Sequence, residues 1–191
     1  MKPKIIVSAA GLIIIAIVIA GAAVLVPKIK IPVTMVQGVK IEPGYYAVSY
    51  VSDGDTFAVN MDGREEKVRL IGVDTPETVK PNSPTECYGK AASDFTKKTL
   101  KGQTVRLEAD PINQNRDRYN RLLRYAYLQD GSLFNATLIS QGYGFAYLSF
   151  PFTKSEEFRL LQAEARKHNI GLWAGDCTIQ DQNGRYKTNT L

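Results

Sequence analysis

From Ile5 to Val26 the chain runs through 22 residues of which only Ser8, Gly11 and Gly21 are not aliphatic, and none is charged. At 1.5 Å rise per residue such a run makes a helix of about 33 Å, which matches a bilayer core of about 30 Å. A stretch this long with no polar face does not suit the core of a water-soluble domain. Residues 1–26 are therefore expected to be a transmembrane anchor or a signal peptide. Ala20-Gly21-Ala22 offers a small-residue cleavage site for the second alternative. Lys2, Lys4 and the α-amino group slightly outweigh Lys28 and Lys30, which favours an N-in anchor with the rest of the chain outside. Cleavage would send it to the same extracytoplasmic side. Pro27 and Pro32 stop the helix, and residues 27–43 read as an extended linker.

The rest of the chain is long enough for one domain. Of the 24 basic residues five lie in the first 41, which hold no acid, so residues 42–191 carry 19 of each sign. The basic balance thus belongs to the tether, and any polyanion must be met by a local cluster of arginines. Two cysteines, Cys87 and Cys177, and one histidine, His168, exclude a disulfide-dense scaffold, a cysteine-built zinc site and a histidine-rich metal site.

Strand patterns fall at Tyr45–Val51, Thr56–Met61, Lys67–Val73, Gln103–Ala109 and Leu122–Leu128, with Asp62-Gly63 as a hairpin turn. Helical spacing falls at Cys87–Leu100, from Ser132 onward, and at Ser155–His168. Five short strands and three helices suggest a small β-barrel of OB type, an α+β fold over residues 44–177. Residues 178–191 are polar and expected to be a flexible tail.

Two acidic turns stand at strand ends: Asp53-Gly54-Asp55-Thr56 and Asp74-Thr75-Pro76-Glu77, with Arg69 on the strand between them. Either alone is ordinary turn chemistry. Together they can bring Asp55 and Asp74 side by side, and two adjacent carboxylates call for a cation; oxygen-only ligands mean Ca²⁺ or Mg²⁺. A second cluster, Arg116-Asp117-Arg118-Tyr119-Asn120-Arg121, reads as a solvated loop or as a phosphate clamp with a stacking ring.

These residues resemble the staphylococcal nuclease (thermonuclease) family over about residues 44–175. The resemblance is carried by Asp53-Gly54-Asp55-Thr56, Arg69-Leu70-Ile71-Gly72-Val73-Asp74-Thr75-Pro76-Glu77, Tyr88-Gly89, Asp94-Phe95-Thr96-Lys97-Lys98, Asp117-Arg118-Tyr119-Asn120-Arg121, Ala146-Tyr147 and Gly171-Leu172-Trp173. It implies a five-stranded OB barrel with three helices and Ca²⁺-dependent hydrolysis of DNA and RNA. It further implies Asp55, Asp74 and the Thr75 carbonyl as calcium ligands, with Asp53 in support. Glu77 would orient or deprotonate the attacking water, and Arg69 and Arg121 would grip the scissile phosphate. Arg118, Tyr119 and Tyr147 would contact the nucleotide. A proline matching Pro151 often follows a cis bond in the family, so Phe150–Pro151 is expected to be cis.

Three positions depart from the pattern: Asn120 stands for a usual glycine, Arg118 for a frequent lysine, and Ser149 for a second tyrosine. None removes a catalytic position. The alternative function is a catalytically silent OB module that binds nucleic acid or a protein; the intact set Asp55, Arg69, Asp74, Glu77 and Arg121 argues against it. A monomer is expected. An outward-facing domain sits in an oxidising compartment, which favours a Cys87–Cys177 disulfide over two free thiols.

Overall fold

A computed structural model describes residues 34–36, 39–41, 44–78 and 84–191. Two short strands, β1 (Thr34–Val36) and β2 (Val39–Ile41), pair antiparallel within the stretch read as an extended linker. The apolar run Ile5–Val26 lies outside the described residues. Among the described residues no helix is long and apolar enough to cross a membrane.

The barrel is built from β3 (Tyr45–Asp53), β4 (Thr56–Met61), β5 (Arg64–Leu70), β7 (Thr104–Glu108) and β8 (Leu122–Tyr127), closed in the order β3-β4-β5-β8-β7. Asp62 and Gly63, at φ 52° and 82°, form the two-residue turn between β4 and β5. Register shifts between Val48 and Tyr50 and between Val51 and Asp53 bend β3, which helps a sheet of five strands close. The β5–β8 pair is parallel and the other four are antiparallel. Closure leaves no free edge, and Phe57, Val59, Val68, Leu70 and Val105 point into a sealed interior.

Three helices cap the barrel. In α1 (Gly89–Leu100) the buried positions Ala92, Thr96 and Leu100 recur every four residues, one face of a helix. The Thr96 hydroxyl donates to the Gly54 carbonyl at 2.7 Å, tying α1 to the β3–β4 turn. In α2 (Phe134–Ser140), buried Asn135 accepts from the Ala126 N–H and donates to the Ile71 carbonyl, both at 2.9 Å. In α3 (Ser155–Lys167), Phe158, Gln162 and Ala165 face inward.

The third expected strand does not run unbroken to Val73. Gly72, at φ 70°, turns the chain after Leu70, and a Cβ there would stand 2.6 Å from the Phe152 ring. Val73 and Asp74 form a separate strand, β6, paired with β9 (Phe145–Ala146). The Phe150–Pro151 bond is trans, which corrects the cis expectation; no cis bond occurs among the described residues.

The expected flexible tail is also corrected. After a short 3₁₀ turn (Gly171–Ala174), β10 (Ile179–Gln182) and β11 (Arg185–Thr188) form a hairpin. Its apolar side, Ile179 and Tyr186, packs on a second cluster of Phe145, Ala165, Leu172 and Trp173. A Cys87–Cys177 disulfide anchors its start.

Candidate active site

The β3–β4 turn buries both of its acids, Asp53 and Asp55. Gly54 is required between them, because an added Cβ would stand 2.7 Å from the Thr75 hydroxyl oxygen. The Asp55 carboxylate accepts from the Thr56 hydroxyl at 2.8 Å and from the Thr75 N–H at 3.0 Å. The two acidic turns of the sequence are therefore hydrogen-bonded to each other.

Arg69 lies opposite Thr56 in the β4–β5 register. Its guanidinium bridges the carboxylates: Nη1 is 2.8 Å from Asp55 Oδ2 and Nη2 is 2.9 Å from Asp74 Oδ1. Nη1 also donates to the Val73 carbonyl at 2.6 Å. Burial pushes the Asp74 carboxyl above its ordinary range; Arg69 opposes this and neighbouring Asp55 adds to it. Arg69 faces both carboxylates and Arg185 approaches Asp74 at 3.5 Å, so the donors gathered here are carboxylate oxygens. Such a donor set suits a hard cation, and the Thr75 hydroxyl, buried with no hydrogen-bond partner among the described residues, supplies further polar surface beside it.

Glu77 occupies the other end of this network. Its N–H donates to Glu86 Oε2 at 3.1 Å and its carbonyl accepts from the Glu86 N–H at 2.9 Å. Asp53 accepts from the Thr78 hydroxyl at 2.7 Å and from the Gly54 N–H at 2.9 Å. Burial, and then a hydrogen bond shared with the Glu77 carboxyl, raises the Asp53 pKa.

The arginine cluster forms a tight loop before β8. Asn120, at φ 63°, takes the left-handed conformation that a glycine would take, so that departure changes little. Asp117 accepts from the Arg121 and Tyr119 N–H groups at 3.0 and 2.9 Å and holds the Arg121 side chain at 2.6 Å. Burial raises the Asp117 pKa, but these hydrogen bonds outweigh it and keep the carboxylate ionised. Exposed Arg118 and Tyr119 are joined by a 2.7 Å hydrogen bond.

A cleft of about 570 Å³ gathers Arg69, Asp74, Arg118, Tyr119, Arg121 and Tyr147 on its walls. Asp53, Asp55, Thr75 and Glu77 are not among its lining residues; Asp55 is tied to it through Arg69, and Asp53 and Glu77 pair with each other. The two sequence clusters thus meet at one place. Phe150 and Phe152 add apolar wall. Sequence reasoning missed Asp117 as the holder of Arg121, although its i, i+4 spacing was a readable signal. It also missed Arg185, which lines the same cleft from the hairpin. Nothing in a polar C-terminal stretch marks it as part of a site.

The chain is similar in sequence to known proteins. The family model described as "Staphylococcal nuclease homologue" matches residues 67–175. A protein named thermonuclease from Staphylococcus intermedius is 48% identical over 132 residues, covering 67% of this chain and 75% of its own length. One of the same name from Staphylococcus hyicus is 46% identical over 130 residues, covering 68% and 75%. Endonuclease YncB of Bacillus subtilis is 40% identical over 139 residues, covering 71% and 65%.

Proposed function

The chain belongs to the staphylococcal nuclease family, and from that premise we propose that it is a calcium-dependent endonuclease hydrolysing phosphodiester bonds of DNA, RNA or both. The observation that carries this reading is the Arg69 guanidinium clamped between Asp55 and Asp74 on a cleft that Arg121, Arg118 and two tyrosines share. Acids for a cation and guanidiniums for a phosphate stand together.

Asp55, Asp74 and the Thr75 carbonyl would hold the calcium ion. When bound, it would neutralise charge that builds on the phosphate oxygens during attack. Arg69 and Arg121 bind the scissile phosphate through planar forks and stabilise the same charge. Glu77 receives or directs the proton of the attacking water, whose oxygen forms the new bond to phosphorus as the ester oxygen leaves. Arg118, Tyr119 and Tyr147 hold the neighbouring nucleotide. A second family of roles, binding without catalysis, would not require all of Asp55, Arg69, Asp74, Glu77 and Arg121.

We infer an extracytoplasmic location, membrane-anchored or secreted, and a monomer. The location rests on the apolar run Ile5–Val26 and on the disulfide, a bond that persists in oxidising compartments. Mass spectrometry of the mature N-terminus distinguishes anchor from signal peptide. A site of two carboxylates suits calcium at the millimolar concentrations found outside cells.

The reaction is tested by digesting plasmid DNA and RNA with Ca²⁺, with Mg²⁺ alone and with a calcium chelator. Cleavage confined to Ca²⁺ is expected. No cleavage in any condition would favour a binding module, and equal or greater activity with Mg²⁺ alone would count against calcium.

A further inference from the structure

The hairpin β10–β11 lies beyond residues 67–175, the span of the family match, and yet one of its side chains reaches the cleft. Arg185 opens β11. Its Nε is 3.5 Å from Asp74 Oδ2, and its guanidinium lies 5.5 Å over the Tyr147 ring. Three other arginines line that cleft. In this structure Arg69 pairs with two carboxylates, Arg121 pairs with Asp117, and exposed Arg118 donates to the Tyr119 hydroxyl. Arg185 meets its acid only through Nε at a long distance, and its side chain is half exposed.

The hairpin is built to hold this position. Tyr186, next in sequence, stacks on Phe145 at 5.5 Å and meets Trp173 edge-on at 5.8 Å. At the end of β11, the Thr188 hydroxyl donates to the Cys87 carbonyl at 2.8 Å, and the Cys87 N–H donates to the Asn189 carbonyl at 2.7 Å. The Leu191 N–H donates to the Thr85 carbonyl at 2.9 Å. The disulfide fixes the other leg two residues before β10.

We propose that Arg185 is a substrate-binding residue: the C-terminal hairpin carries it to the cleft to contact a backbone phosphate of the nucleic acid, beside the nucleotide held at Tyr147. The proposal rests on the nuclease reading for the identity of the ligand. A guanidinium fits this task because its fork matches phosphate oxygens while its face lies on an aromatic ring. Each phosphate neutralised by a cation adds a fixed increment to the salt dependence of binding, about 0.7 for a single strand.

The test is equilibrium binding of a fluorescein-labelled single-stranded DNA to the full chain in chelator, across a salt series. Cleavage in Ca²⁺ is measured on the same preparations. Arg185→Ala is expected to weaken binding about three- to tenfold and to lower the log–log salt slope by about 0.7. Arg185→Lys is expected to restore the slope. Unchanged binding and slope in Arg185→Ala would overturn the proposal, as would weaker binding with an unaltered slope, which would mean that Arg185 acts only through Asp74. Failure of the wild-type chain to bind would overturn it too. Wild-type binding without cleavage would sink the nuclease reading alone, and the Arg185→Ala comparison would still decide the contact.

Discussion

Arg121 owes its usefulness to Asp117. Two of its nitrogens are held by that carboxylate, and Nη1 lies 3.4 Å from the Thr56 hydroxyl. The side chain is therefore oriented before substrate arrives, which is the condition for a guanidinium to stabilise developing charge without reorganising. Arg121→Ala is expected to lower kcat about 10²–10³-fold, the loss usual for one preorganised electrostatic group. A steady-state assay checks this, and a rise in KM with kcat unchanged would show that Arg121 only binds. Arg69 is a different case. Removing it leaves buried Asp55 without its guanidinium, and a broken buried pair costs about 3–5 kcal/mol of stability. Its substitution therefore reports on folding before it reports on catalysis. At this scale the sequence was informative about one meeting, since two acidic motifs at strand ends foretold that Asp55 and Asp74 come together, and Arg69 lies between them; the roles of Glu77 and Arg121 came from the family resemblance. The sequence was silent on Arg185, whose role depends on where a hairpin docks, and it named Asp53 only as support, since the Asp53–Glu77 pairing is set by the path of the chain after Asp74.

Two of the loops that line the cleft are tied to each other by a buried acid. Asp110 lies two residues beyond β7 and is 5% exposed. It accepts from the Thr153 hydroxyl and N–H at 2.5 and 2.7 Å, the Tyr125 hydroxyl at 2.7 Å and the Ile112 N–H at 2.9 Å. It thus binds the start of the arginine loop to the loop that carries Phe150 and Phe152. Burial pushes the Asp110 carboxyl up, but these four hydrogen bonds outweigh it and hold its pKa down at about 2, below the ordinary 3.8. The unfolded chain therefore takes up the proton first as pH falls. Stability present above about pH 4 is lost between there and about pH 2, on the order of 2 kcal/mol. Urea unfolding of wild type and Asp110→Asn across that window should show a shallower pH dependence in the variant. Identical slopes would contradict the assignment. Period and turn signals foretold the five barrel strands and three helices, since each has a clear pattern. The short pairs β6–β9 and β10–β11 left no such pattern. Two-residue strands have no period, and a hairpin of polar residues that packs through Ile179 and Tyr186 reads as a tail.

Across the whole molecule, the disulfide joins the segment before α1 to the start of the hairpin, 90 residues later. Loop-closure entropy for such a length gives a stabilisation of about 4–5 kcal/mol. The Cys87→Ala/Cys177→Ala double variant is expected to unfold at lower urea concentration. Trp173, the single tryptophan of the chain and a neighbour of the hairpin, reports the transition by fluorescence. Equal midpoints would show that the bridge adds nothing. The even charge of residues 42–191 also acquires meaning at this scale. Four of its arginines, Arg69, Arg118, Arg121 and Arg185, line one cleft, so a local cluster of cations stands within a domain of even charge. The claim on which everything else rests is that this cleft performs hydrolysis and that Glu77 handles the water. The most direct measurement is the single-turnover cleavage rate of a single-stranded DNA by Glu77→Gln in saturating Ca²⁺, with its binding measured in parallel. The loss of one positioned proton acceptor should slow cleavage about 10²–10⁴-fold while binding stays within a few-fold of wild type. A near-wild-type rate would contradict the account.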